Sequence, residues 1–500
     1  MTGAPAARRV LAHCNAGHDF GLGHLMRTLA VLEEALARGW EARILGDLDA
    51  AALTRVRRSL PAATVTGVPL DRVAGTLAGL VADWRPDVLH LDSYWLPADA
   101  VPAAAHLVSN VQDAPFGERV ADLLVDPNLG AEERLARPGL GRHHLLGREA
   151  AIVRSEVRRR AGDRSPAGVA SVLVVLGGTD PHGLTTRVVA ALGHLDADLR
   201  LTVVAPPAQR PGLEALAAGS PRRIELIPLA DDLPGLAAHH DLVVSAAGTS
   251  VWDFAHQGVP LAILAVTENQ RAGYLAATAA GIAHGLGLPP HADLDERIAE
   301  LGRTIVEPGA LGRSVSAGRA LIDGLGTWRI VGAWEQLLAA GEGSGRPAPD
   351  LAARPADSED AAVLLEWRND PVTRASSRST DPIGWAGHVD WLGRVLADPD
   401  RHLFVLEDAA GPIASVRWDR IDARDWEVSI TLAPQARGRG LAAAVLSTAE
   451  RALPEPGPTH LLATVHRSNT ASLRLFARCG SLPHLPADDA GFLTFARWHW

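Results

Sequence analysis

Gly21-Leu22-Gly23-His24-Leu25-Met26-Arg27 follows the first apolar run, Val10-Leu11-Ala12, and opens the helical pattern Leu25, Leu29, Leu32, Leu36. A strand therefore feeds a glycine-rich turn at a helix N-terminus, the start of a β-α unit. The free N–H groups and partial positive charge of such a terminus suit a phosphorylated or electron-rich ligand. His24 stands where an imidazole can reach that ligand, and imidazole exchanges protons near neutrality. Read alone, Gly21 and Gly23 equally well make a tight turn with His24 capping the helix, because short glycine motifs have low specificity.

The same grammar continues outward. Apolar strands are expected at Glu41–Leu45, Val88–Leu91, Leu107–Val111 and Leu123–Val125, with helical patterns between them, so residues 1–158 read as one domain. Residues 159–169 are polar and turn-rich and set a boundary. A second β-α set, 165–338, has strands at Ser171–Leu176, Leu201–Ala205, Ile224–Ile227, Leu242–Ser245 and Leu261–Leu264. Two successive doubly wound domains leave a cleft at the carboxyl ends of their strands. Residues 339–350, with Gly-Glu-Gly-Ser-Gly-Arg-Pro-Ala-Pro, have linker composition. Residues 351–500 change pattern. Helices are expected at Ala361–Asn369 and Trp385–Ala397, and strands at His402–Glu407, Ile413–Trp418 and Trp426–Leu432. A helix 440–452, a strand 461–465 and a helix 469–478 follow, giving an α+β domain. The fold class is α/β, with two Rossmann-like domains ahead of this third one.

Composition narrows the chemistry. The 500 residues are 47% hydrophobic, enough for several cores, and carry a net charge of −10 without a basic tail. That balance argues against nucleic acid as the main partner. All 48 basic residues are arginine. Schiff-base catalysis, covalent pyridoxal phosphate and a Walker P-loop each need a lysine, so the chain cannot supply them. Cys14 and Cys479 lie in different domains, which predicts two reduced thiols, with neither a disulfide framework nor a metal site. There is no signal-peptide core and no long uncharged apolar run, so a cytoplasmic protein without membrane insertion is expected.

In the second domain Val172-Leu173-Val174-Val175-Leu176 runs into Gly177-Gly178-Thr179-Asp180, a place for backbone to approach a diphosphate. Ser245-Ala-Ala-Gly248-Thr249-Ser250 repeats the device. Asp253 lies one turn into the next helix, where a carboxylate can accept from ribose hydroxyls, and Asn269-Gln270 follow the next strand. Each piece alone also reads as ordinary turn and N-cap chemistry.

Taken together, these motifs resemble the UDP-sugar hydrolases of pseudaminic acid biosynthesis. That family belongs to the GT-B superfold, related to the MurG glycosyltransferase. Leu91-Asp92-Ser93-Tyr94 and Asp126-Pro127-Asn128 complete the resemblance over the first 335 residues. It implies a GT-B fold with sugar in the first domain, UDP in the second, and glycosyl C–O hydrolysis without a metal. His24 takes the catalytic position; Gly21, Gly23, Asp92, Tyr94 and Asn128 fall in the sugar pocket. UDP falls to Gly177, Gly178, Thr179, Asp180, Gly248, Thr249, Ser250, Asp253, Asn269 and Gln270. Two departures stand out: His13 and Asn15 occupy the family's Arg-x-Asp positions, and Asp253 replaces the usual Glu.

Residues 351–500 carry Gln435-Ala436-Arg437-Gly438-Arg439-Gly440 at the head of a helix, with Trp367-Arg-Asn-Asp370 before and Asn469-Thr-Ala-Ser472-Leu-Arg-Leu-Phe476 after. A glycine turn of this kind can wrap a pyrophosphate. The set resembles the GNAT acetyltransferases of the RimL-like and pseudaminic-pathway branch. That implies acetyl-CoA as co-substrate, held by Ile430, Leu432, Gln435, Arg437, Gly438, Arg439, Gly440, Asn469, Ser472 and Phe476. Glu427 takes the position of the amine-deprotonating base, though it also reads as a salt-bridged strand carboxylate. Phe476 stands where many members have a tyrosine. Trp385, Trp391, Trp418 and Trp426 are expected mostly in the core.

The resulting expectation is a bifunctional enzyme of nonulosonic (pseudaminic-type) acid biosynthesis. It would N-acetylate a UDP-4-amino sugar and hydrolyse a UDP-2,4-diacetamido-trideoxyhexose, with other pathway enzymes as partners. A GT-B glycosyltransferase fused to an acetyltransferase, or a non-catalytic nucleotide-sugar-binding module, are the alternatives.

Overall fold

The computed structural model describes residues 7–499 except 114, 135–139, 161–167, 178–179, 181, 206, 231, 308, 341–350 and 455–457. The chain divides into two compact units, Met1–Val331 and Gly332–Trp500, with the division inside the helix Gly326–Ala340. Among the described residues no helix is long and apolar enough to cross a membrane.

The first unit contains two parallel sheets. The first is built from β1 (Arg9–Cys14), β2 (Glu41–Gly46), β3 (Thr64–Gly67), β4 (Val88–Asp92), β5 (Val108–Val111), β6 (Ala121–Asp126) and β7 (Gly141–Leu146). Its order is β3-β2-β1-β4-β5-β6-β7. The second has β8 (Ser171–Val175), β9 (Arg200–Val204), β10 (Ile224–Ile227), β11 (Leu242–Ala246), β12 (Leu261–Leu264) and β13 (His284–Gly287). Its order is β10-β9-β8-β11-β12-β13. These are two Rossmann-type domains in succession, the layout of a GT-B fold. Central strands such as β1 and β8 are covered on both faces, which is why they read as unbroken apolar runs. Strand order reverses between β1 and β4 and again between β8 and β11, opening a crevice at each carboxyl edge. Cys14 pairs with Asp92 in register, so the turns after β1 and β4 leave the sheet side by side.

The second unit is an α+β domain. Its sheet contains β14 (Ala352–Pro355), β15 (Arg401–Asp408), β16 (Gly411–Arg420), β17 (Asp425–Leu432), β18 (Thr459–His466), β19 (Leu482–Leu485) and β20 (Phe492–His499). All neighbours are antiparallel except β17 and β18. That parallel pair is joined only at Asp425↔His460, Trp426↔Leu461 and Glu427↔Leu462. Beyond Glu427 the two strands part, and the sheet opens as a V. Trp367, Trp418 and Trp426 are buried in the core on which the helices pack. Trp391 is only half-buried, and Trp385, expected inside, is 55% exposed. It is the first residue of the helix Trp385–Ala397, whose buried side is His388, Leu392 and Val395.

Candidate functional site

The first crevice holds a buried charge network. Asp92 ends β4, and the helix Gly23–Ala37 carries His24 and Arg27 over it. His24 Nδ1 lies 2.6 Å from Asp92 Oδ1, while Arg27 donates to the same carboxylate from Nε at 2.9 Å and Nη2 at 2.7 Å. Since a carboxylate only accepts, Nδ1 carries the hydrogen and Nε2 is left as the proton acceptor. Arg27 Nη1 reaches both oxygens of Asp113, at 2.8 and 2.9 Å. Asp113 also accepts from the Tyr94 hydroxyl and, at 2.7 Å, from Asn128 Nδ2. Asn128 Nδ2 is also 2.9 Å from Asp126 Oδ1.

Burial would raise both Asp92 and Asp113, but the Arg27 guanidinium holds both carboxyls below the usual range. Asp126 is shifted the other way. Burial, and the nearby Asp113 charge, push it up to about 6.

The sequence motifs contain Arg27 and Asp126 without assigning either a function of its own, and Asp113 lies outside them. Their signal was present, because β4 and β6 end in aspartate and β5 is followed by one two residues later. His13 and Asn15, the family departures, lie fully buried. His13 donates from Nδ1 to the Leu45 carbonyl at 3.0 Å, and Asn15 bonds the Ser93 hydroxyl and the Asp47 amide. Both tie β1 to neighbouring strands and loops.

The second domain faces this network. The helix Ser250–Gln257 begins at Thr249 without a side-chain cap, and so does the helix Gly23–Ala37 at Leu22. A Cβ on Gly23 would lie 3.9 Å from Thr249 Oγ1, so the two positive helix ends converge. Asn269 Nδ2 donates to the Tyr94 hydroxyl at 3.2 Å, and a Cβ on Gly248 would approach Gln270 Nε2 to 3.7 Å. Gly21 and Gly177 both adopt positive φ, +73° and +101°, as tight turns require.

Two expected UDP ligands have other work. Asp180 caps the helix Leu184–Gly193, accepting from the amides of Leu184 and Thr185 at 3.0 and 2.7 Å. Asp253, expected to be open toward ribose, is buried, and both its oxygens are held by Arg154, whose Nε is 2.8 Å away. Its shorter side chain meets the segment joining the two domains. Gly178 and Thr179 lie outside the described residues.

In the second unit the V between β17 and β18 is the floor of a cavity of about 1070 Å³. Glu427 lies at the point of divergence, where Thr464 Oγ1 donates to its Oε1 at 2.5 Å. Ile430, Leu432, Arg437, Gly438, Gly440, Asn469, Ser472 and Phe476 line the cavity with it. Gly438 and Gly440 adopt φ of +74° and +75°, and the helix Ala442–Arg451 starts at Leu441 without a side-chain cap. A loop of this shape turns backbone amides toward an anion. Gln435 and Arg439 do not line the cavity; Arg439 pairs with Asp408 at 3.0 Å on the surface. Asn469 Oδ1 caps its own helix through the Ser472 amide at 3.1 Å.

Residues 350–481 match the family model of the acetyltransferase (GNAT) domain. The C-terminal region is a GNAT domain. GNAT acetyltransferases use acetyl-CoA. The splayed strands, open helix end and positive-φ glycines fit its pantetheine arm and pyrophosphate.

The chain has further relatives. Over 330 residues it is 22% identical to an uncharacterized protein of Methanocaldococcus jannaschii, covering 61% of this chain and 62% of that one. A further relative is the UDP-N-acetylglucosamine–N-acetylmuramyl-(pentapeptide) pyrophosphoryl-undecaprenol N-acetylglucosamine transferase of Chromobacterium violaceum. It is 29% identical over 360 residues, 58% of this chain and 93% of the transferase. The spore coat polysaccharide biosynthesis protein SpsG of Bacillus subtilis is 31% identical over 176 residues, 33% of this chain and 50% of its own. The chain thus spans less than two thirds of the first of these relatives and half of the last. Two successive Rossmann-type domains with the layout of a GT-B fold are thus fused to a GNAT acetyltransferase domain.

Proposed function

We propose that the chain performs two reactions on a UDP-linked amino sugar. The GNAT domain acetylates its free amine, and the GT-B region then cleaves the acetylated sugar from UDP with water. The observation that carries the second assignment is the His24–Asp92 pair beside two converging helix ends. His24 Nε2 accepts a proton as water oxygen bonds to the anomeric carbon. The C–O bond to UDP breaks with its electron pair on the diphosphate, where the helix ends near Gly23 and Thr249 stabilise the charge. Asp92 holds the imidazole in place through Nδ1. Tyr94, Asn128 and Asn269 position the sugar.

In the GNAT domain, acetyl-CoA supplies an acyl group on a thioester. Glu427 takes a proton from the acceptor ammonium; the free amine attacks the thioester carbonyl carbon, the C–S bond breaks to release coenzyme A as thiolate, and the second nitrogen proton passes through water to that thiolate. Phe476 has no proton to give the departing thiolate. Six arginines but only two carboxylates, Asp419 and Glu427, line the cavity. Arg378, Arg417 and Arg437 pair with Asp488, Asp419 and Asp370, and the remaining arginines suit the phosphates of acetyl-CoA or of a nucleotide-sugar acceptor better than a polyamine.

This sequence of reactions fits nonulosonic acid biosynthesis in the cytoplasm, with a 2,4-diacetamido-trideoxyhexose as product and domains at 1–158, 165–338 and 351–500 joined by 339–350. The Chromobacterium relative favours a second reading, transfer of the glycosyl group to an acceptor hydroxyl. Mass analysis after incubation with acetyl-CoA and a panel of UDP-4-amino sugars separates the two. Acetylation followed by release of free sugar supports hydrolysis; release only with an added acceptor supports transfer. His24→Ala should slow UDP release about 10²–10⁴-fold and leave acetylation unchanged.

A further inference from the structure

The helix Trp385–Ala397 of the second unit has more apolar surface than its own domain covers. Its buried side is His388, Leu392 and Val395. At 3.6 residues per turn, Trp385, Ala386, Val389, Gly393, Leu396 and Ala397 share about a third of the circumference beside that side. All six are exposed, Trp385 to 55%, Val389 to 40% and Leu396 to 41%. Single exposed apolar residues are ordinary, whereas a contiguous apolar stripe marks a surface that something covers. None of the six lines the GNAT cavity, so acetyl transfer does not account for them.

The stripe has a notch. Glycine weakens an exposed helix, because it gives up more backbone freedom on folding than any other residue. A Cβ on Gly393 would meet no neighbouring atom within 4 Å among the described residues, so no contact inside the chain requires glycine there. A second helix crossing the stripe does require it, since a bare backbone at Gly393 admits an apolar side chain from the facing helix.

The face is also complementary to itself. Asp390 and Arg394 stand one turn apart and border the stripe on the edge away from the buried side. Both are exposed, and among the described residues neither has an ion-pair partner. When a second copy of the helix lies antiparallel on the first, with a two-fold axis near Trp391, Val389 enters the notch at the partner's Gly393. Trp385 then covers the partner's Leu396 and Ala397. Asp390 falls beside the partner's Arg394, and Arg394 beside the partner's Asp390. A two-fold contact uses the same patch on both molecules, so its charges must cross in this way. A second copy supplies the matching charges by symmetry alone.

We propose that this face of the helix Trp385–Ala397 joins two copies of the chain as an antiparallel helix pair. The proposal is independent of which reaction the first unit performs. The 13-residue helix is about 20 Å long. A contact of that length covers less than the roughly 800 Å² per partner of a standard interface, so a weak dimer is expected, with Kd of about 1–100 μM.

The test is sedimentation equilibrium of the full chain from about 1 to 200 μM, which should show reversible dimerisation in that range. Asp390→Arg alone puts like charges at both symmetric contacts and should weaken the dimer about tenfold or more, and so should Arg394→Asp alone. Mixed together, the two single variants should form a heterodimer of near-parental affinity. The double variant Asp390→Arg/Arg394→Asp should regain the homodimer. Gly393→Leu fills the notch and should also weaken pairing about tenfold or more, with a melting temperature no lower than the parent's to report an intact fold. A parent that stays monomeric across the range overturns the proposal. So does a dimer that either single charge reversal leaves unchanged, or one that the mixture and the double variant fail to restore.

Discussion

Replacing Asp92 by asparagine tests whether the buried network is machinery or only packing. Asp92 is fully buried and receives His24 Nδ1 at 2.6 Å and two Arg27 nitrogens at 2.9 and 2.7 Å. Asparagine has the same shape but offers one accepting oxygen and one NH₂ group. Turned either way, the NH₂ meets a donor: His24 and Arg27 Nη2 on one side, Arg27 Nε on the other. Breaking a buried ion pair costs roughly 3–5 kcal/mol. Arg27 keeps Asp113 as a partner, so the lower end, about 3 kcal/mol, is expected. At about 2–4 °C per kcal/mol for a domain of about 150–250 residues, the domain that holds Asp92 should melt roughly 6–12 °C lower. The Asp92 carboxyl is held low in the fold, so its contribution is present above about pH 4 and lost as pH falls further. The variant should therefore match the parent most closely in acid.

The effect on rate is separable. Without the carboxylate the imidazole loses its fixed tautomer and orientation. UDP release should fall about 10²–10⁴-fold, a change comparable to that of His24→Ala. The assay follows UDP from a pre-acetylated sugar, with thermal unfolding and acetyl transfer as controls. If the melting point falls as expected but UDP release stays within about threefold of the parent, Asp92 merely holds Arg27. The base assignment would then lose its support.

Glu427→Gln keeps an oxygen for the Thr464 hydroxyl but cannot take a proton. Acetyl transfer should drop about 10²-fold or more at neutral pH, while UDP release continues unchanged. Gly438→Val places a branched side chain at a φ of +74°, where an L-residue costs about 1–2 kcal/mol, so the loop should shift and acetyl-CoA binding weaken by tenfold or more in calorimetry. Asp126 is pushed up to about 6 in the fold, so the stability of its protonated form is full below about pH 4 and lost as pH rises through 6. Asp126→Asn should therefore be the more stable protein at pH 8, by up to about 3 kcal/mol, with the difference vanishing near pH 4 in denaturant titrations.

Which parts of this molecule were legible follows from where each residue gets its instructions. β1, β8, β11 and β12 are buried on both faces, and local sequence alone announces them. β3, β7, β13, β14 and β19 lie at sheet edges and are short, polar or glycine-rich, so no apolar run marks them. β20 lies inside its sheet, but Phe492–His499 mixes apolar and polar residues without a period of two.

The site divides in the same way. Backbone features, such as the turns at Gly21, Gly177 and Gly438, are local and can be read directly. Side-chain partnerships are not. Asp253 has the spacing of a ribose ligand, yet Arg154, 99 positions away, claims it. His24 was marked by its turn, whereas the Asp113 that organises its surroundings is 86 positions from Arg27. Only the parallel sheet, by aligning the ends of β4, β5 and β6, brings Asp92, Asp113 and Asp126 onto one edge. One arginine then holds the first two as anions, while burial beside Asp113 pushes the third up to about 6. That asymmetry gives a single crevice both a fixed charge beside His24 and a carboxyl that titrates near neutrality.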